Sequence, residues 1–173
     1  MLEFKKLSKE SVYLVMRELL YTFNWLHVQL ELLLSAKYSQ ERRNKELQTI
    51  HETVGSYEAK RLSKVLNISG EGLDMLMELI RYSHWAVFEN IEVAKLTERS
   101  FRMRTIDCST QKYWGRQNLG HYDCGTPSLL ARSGFFKAVN PKAKVRRIFA
   151  RPENRPDGTP ENVSCEWEIS IEE

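Results

Sequence analysis

With 173 residues, 42 % apolar and 28 % charged, the chain has the size and balance of one soluble globular domain, able to bury a core without disulfides or metals. It holds no apolar run of roughly 18 residues, which argues against a transmembrane helix. Its net charge of +3 is uneven: residues 99–155 carry 13 Lys and Arg against three acidic residues, and the last 18 residues carry six acidic residues and no Lys or Arg.

The N-terminus is charged throughout (Glu3, Lys5, Lys6, Lys9, Glu10) and lacks the basic-then-apolar layout of a signal peptide. Ser8 suits a helix N-cap, and Val12, Val15, Leu19, Phe23, Leu26, Leu30 and Leu33 recur at spacings of three and four. A helix is expected over 8–36, rich in Leu on more than one face and therefore central or at an interface. Ser39 opens a second helix over 40–66, with Leu47, Ile50, Val54, Tyr57 and Val65 in helical rhythm and Gly55 weakening its middle. After the break at Asn67–Gly70, Leu73, Leu76, Met77, Ile80, His84, Val87, Phe88, Ile91 and Leu96 predict a third helix running to about residue 97.

The period then changes. Residues 100–107 alternate as a strand, and Tyr113 to Asn118 reads as a second, short one. Gly120 and Gly125 bracket a His121-Tyr122-Asp123-Cys124 turn. Thr126-Pro127 starts a helix that ends before Asn140-Pro141. Strands follow over 143–150 and 164–171, separated by a proline-rich loop; in the last one Cys165, Trp167, Ile169 and Ile171 share a face. The expected fold class is α+β in a single domain: a helical half (1–98) with three long helices, then a β-β-α-β-β unit (99–173) carrying a four-stranded, mainly antiparallel sheet.

Three cysteines cannot all pair within one molecule, so free thiols in a reducing compartment, a cytoplasmic location, are expected. Cys108, Cys124 and Cys165 lie where strands can bring them together, and with His121 or Asp123 they have the donor set of a four-coordinate zinc. The bland alternative makes Cys108 and Cys165 small buried hydrophobes. Cys124 precedes a helix, where dipole and free amides lower a thiol pKa, so Cys124 with His121 or Asp123 is a candidate nucleophile; the alternative is a structural cysteine at a turn. On the first helix, His27 and Glu31 share a face beside Trp25, and can line a pocket or form an ordinary ion pair. His84-Trp85 with Glu89 invites the same pair of readings. The basic block favours an anionic partner. Tyr113, Trp114 and Arg116 interleave as in single-strand binders, but no phosphate loop or nucleic-acid signature accompanies them, and nucleic acid is the weaker reading.

The arrangement of Cys108, Gly120 to Cys124, the Phe135-Phe136 helix, the basic strand ending at Pro152 and Cys165-Glu166-Trp167-Glu168 resembles cytosolic relatives of L-2-amino-thiazoline-4-carboxylate hydrolase, a group distantly similar to the 4-vinyl-reductase-type domain. Asn24-Trp25 and Ala59 to Leu62 fit as well, so the likeness covers residues 20–171. It implies helices on a small antiparallel sheet, a homodimer, and a pocket for a small carboxylated compound containing nitrogen or sulfur. Attack on the C2 carbon of a thiazoline ring needs a nucleophile or an activated water, and the carboxylate needs arginine. Arg104, Arg116, Arg146 and Arg147, with Trp25 and His27, are the candidates for binding. The other reading is a non-catalytic binding or sensor domain of the 4-vinyl-reductase type with a structural cysteine or zinc site. The chain departs from the pattern at Ile148 and Arg151, where cysteines precede the proline-rich loop in relatives.

Overall fold

A computed structural model describes residues 6–172. It divides into two compact units, Met1–Ser39 and Gln40–Glu173. The first holds one helix, α1 (Lys9–Ser35). Ser8 caps it as the sequence requires, its hydroxyl accepting the Ser11 N–H at 3.1 Å.

The second unit begins with α2 (Gln40–Leu66), which starts directly after Ser39. The expected third long helix is instead three elements: α3 (Leu73–Ile80), α4 (His84–Phe88) and the first strand, β1 (Ile91–Thr97). Two local features cut it. Ser83 turns its hydroxyl back to the Ile80 carbonyl at 2.7 Å, and Glu58 of α2 accepts the His84 N–H at 2.6 Å, replacing the helical continuation with a cap. Asn90 then takes a left-handed conformation (φ 46°), one that Asn tolerates better than most residues, and the chain leaves helical space.

β2 (Ser100–Ile106) pairs antiparallel with β1. Residues 113–118, expected as a strand, belong mostly to α5 (Ser109–Arg116), with Cys108 at its N-cap and Trp114 as its buried anchor. Aromatic residues bias a short window toward strand, but one buried face at helical spacing decides here. α6 (Gly125–Lys137), β3 (Ala143–Ala150) and β4 (Val163–Ile171) lie where the sequence puts them. The sheet has four strands, as expected, with β1 in place of residues 113–118. Its order is β1-β2-β4-β3, antiparallel throughout.

The layers follow from the two faces of the sheet. Phe101, Met103, Cys165, Trp167 and Ile169 are buried on one face, against α3, α4 and α6. Phe135 of α6 meets Trp85 edge-on at 5.6 Å, and Phe136 meets Phe101 at 5.7 Å. The other face carries charge: Arg104 pairs with Glu166 at 2.7 Å, and Arg146 with Glu168. α2 crosses the back of α6 closely enough to require glycine at both contact points. A Cβ on Gly55 would meet the Ala131 carbonyl oxygen at 1.9 Å, and one on Gly134 would meet the Glu52 carbonyl oxygen at 2.1 Å. α6 is therefore held between sheet and helix, and one charged side chain at its middle is fully buried.

Candidate functional site

That side chain is Arg132. It is 0 % exposed, on the same helical face as Leu129 and Phe136. Its guanidinium lies between two indoles, 4.8 Å from the ring centre of Trp85 and 4.8 Å from that of Trp167. One Nη2–H donates to Glu89 Oε2 at 2.7 Å, and the Thr105 hydroxyl donates to the same oxygen at 2.9 Å. Arg132 Nε and Nη1 have no hydrogen-bond partner among the described residues. A buried charge is retained only when it is paired and its donors are met. Glu89 meets the first condition, and two donors leave the second open.

The three thiols belong to the same unit as this pair. Cys165 accepts the Trp167 indole N–H at 3.1 Å and faces the side of the sheet that Arg132 occupies. Cys124 is the N-cap of α6; Gln111 donates to its sulfur at 3.6 Å, and the thiol points to the Arg151 carbonyl at 3.8 Å. Cys108 is the N-cap of α5, its backbone N–H directed at the Ser164 hydroxyl at 3.4 Å. The three lie within electrostatic reach of one another, of Glu89 and, for Cys124 and Cys165, of Arg132. They are free thiols. Among the described residues, no group of three or more His, Cys, Asp or Glu side chains is placed to hold a metal ion. The zinc expected from Cys108, Cys124 and Cys165 thus has no formed donor set there.

Burial sets the ionisation of these thiols. Desolvation pushes Cys108 up to about 12, with the Glu89 carboxylate adding to it. Cys124 is pushed up by desolvation first and then by Cys165, Cys108 and Glu89, against an opposing contribution from Arg132. Cys165 moves up for the same leading reason, and Arg132 again opposes. The lowered pKa expected of Cys124 at a helix N-terminus is therefore overturned. The helix terminus is present, but loss of hydration around the sulfur costs its charged form more than the dipole returns. At neutral pH all three are thiols.

The other residues singled out by sequence scatter. Asp123 accepts the Gly125 N–H at 3.3 Å, stapling the turn before α6. Arg147 lies against Gly125, in the space a Cβ would fill, and pairs with Glu153 at 2.8 Å. His121 is exposed in the same turn. Arg116 is exposed in the last turn of α5, and Arg104 is on the opposite sheet face from Thr105 and Cys165. Trp25 and His27 belong to α1, in the other unit. The structure thus sets Asp123 and Arg147 against Gly125, next to Cys124, and among the described residues it builds no metal-binding group from the three cysteines. An open depression of about 430 Å³ beside Lys60, Lys64 and Val139 contains none of the expected residues.

Sequence reasoning passed over Arg132. The signal was there: Leu129, Arg132 and Phe136 follow the spacing of one apolar face, so a charge falls where the helix turns inward. Residues 5–171 match a family model described as a family of unknown function, DUF6125. The chain belongs to that family. The DUF6125 match runs from before α1 through β4, so Glu89, Arg132 and the three thiols all fall inside it. No curated protein matches the chain.

Proposed function

We propose that this DUF6125 protein binds a small carboxylated compound through Arg132, with the thiols of Cys108, Cys124 and Cys165 as neutral, polarisable walls. The observation that carries this reading is the pair of unpartnered guanidinium donors on a fully buried arginine already held by Glu89. A carboxylate meets such donors with short, charge-assisted bonds, and the indoles of Trp85 and Trp167 hold the guanidinium so that a ligand approaches along its edge. Reaching those donors requires the surrounding side chains to part, and that opening cost sets the affinity. Glu89, with its side chain 12 % exposed, is the member of the pair that touches water.

The hydrolase-like reading builds on the same binding step. A bound L-2-amino-thiazoline-4-carboxylate would be opened by water attacking C2, since protonated thiols are poor nucleophiles. Calorimetry and thermal shift with L-2-amino-thiazoline-4-carboxylate and with the uncharged ring, 2-aminothiazoline, test the reading. The carboxylate should raise Tm and 2-aminothiazoline should not, and Arg132→Gln should abolish the shift. Ring opening is followed by loss of thiazoline absorbance. Equal responses to both compounds, or a shift surviving in Arg132→Gln, overturn the assignment to Arg132.

A further inference from the structure

α1 carries an uninterrupted heptad seam. Val12, Met16, Leu19, Phe23, Leu26, Leu30 and Leu33 are spaced alternately by four and three, a repeat of 3.5 residues held over three heptads. All seven are exposed, from 37 % at Val12 to 67 % at Phe23. On an α-helix this set keeps to one side, and every charged residue of α1 (Lys9, Glu10, Arg17, Glu18, Glu31) lies off it.

We infer that this seam pairs with the same seam of a second copy, forming a two-stranded coiled coil. Three features favour that occupant. A strict 3.5-residue seam is matched by a helix with the same repeat, and the other long helix of the chain lacks one: Ile50, Val54 and Tyr57 of α2 begin a four-three rhythm that runs into Arg61. The positions flanking the seam (Tyr13, Val15, Leu20, Thr22, His27, Gln29, Leu34) hold no acidic side chain, no Lys and no Arg, so two identical helices meet without a like-charge clash of those groups. The area suffices: seven large side chains giving up roughly 90 Å² each bury roughly 1,200 Å² over two copies, the lower end of a stable interface. Leu at three of the four positions in the d register suits such a pair. The inference is independent of the ligand reading.

The test is the mass in solution of the full chain, by light scattering coupled to gel filtration across the micromolar range. A dimer is expected. Leu19→Lys with Leu26→Lys should weaken it by at least about 100-fold while far-ultraviolet dichroism stays unchanged. Leu14→Lys with Tyr21→Lys, on the opposite side of α1, should leave it intact. If the seam variant loses helix content, Leu26→Asn alone supplies the same comparison with a smaller disturbance. A monomeric wild-type chain, a dimer that persists in the seam variants, or equal dissociation by the off-seam pair overturns the assignment.

Discussion

At the scale of residues, the second unit places a charge at a fully buried position. Arg132 with Glu89 and two indoles form a polar group inside an apolar layer, and its cost is met only in part by protein atoms. The thiols give this a pH signature. An unfolded thiol ionises near 9.0, whereas Cys108 in the folded chain is held to about 12 by desolvation. A raised acid pKa means that folding favours the neutral form. This contribution is therefore fully present below pH 9 and is lost as pH rises from 9 toward 12. The urea midpoint should fall over that range, and Cys108→Ala should flatten the fall relative to wild type; identical slopes would mean that Cys108 ionises as freely folded as unfolded. That Cys108 and Cys165 are buried was legible, because a small apolar side chain at a strand or helix boundary usually packs inward. The protonation of Cys124 was not, because a helix-terminus argument counts the local dipole and is blind to the layer that closes over it. Arg132 escaped for the converse reason: a lone arginine in a helix reads as solvated until its face is known.

At the scale of elements, the long helices and the last two strands were legible because each repeats one period over eight or more residues. The failures share a cause: segments of five to eight residues whose apolar spacing fits either period. Ile91 and Leu96 continue a helical pattern by accident, and only the cap at Ser83 and His84 and the left-handed Asn90 show that the pattern has ended. Gly55, read from sequence as a weak point of α2, is where the helix makes its closest approach. With Gly134 it lets α2 and α6 cross backbone to backbone. Gly55→Ala and Gly134→Ala remove flexibility and would stabilise an isolated helix. Here each inserts a methyl into a neighbouring carbonyl, and overpacking of this kind costs roughly 1–3 kcal/mol or more. Both should lower the urea midpoint, and together they should cost less than their sum, because one helix displacement relieves both clashes. A stabilised Gly55→Ala would show that the crossing is looser than this geometry.

At the scale of the whole molecule, part of the basic block between residues 99 and 155 is paired within the chain. Arg104 and Arg146 meet Glu166 and Glu168 across the outer face, Lys144 meets Glu172 at 3.5 Å, Arg147 meets Glu153, and Lys112 meets Asp107. Three of the six acidic residues of the tail, Glu166, Glu168 and Glu172, are on or just after β4, where they meet basic side chains of β2 and β3. No helix among the described residues is long and apolar enough to cross a membrane. The division into two units bears on stability. Every residue of the main buried cluster falls between Ala59 and Ile169, inside the second unit, and the α2–α6 crossing and all four strands lie there too. A chain beginning at Gln40 should therefore keep the buried indoles of Trp85 and Trp167 in a fixed environment. It should show near-ultraviolet dichroism like that of the full chain and one cooperative unfolding transition. Loss of both signals on removal of residues 1–39 would mean that α1 is needed to complete the core. The apolar seam of α1 would then owe its pattern to folding instead of to a second copy.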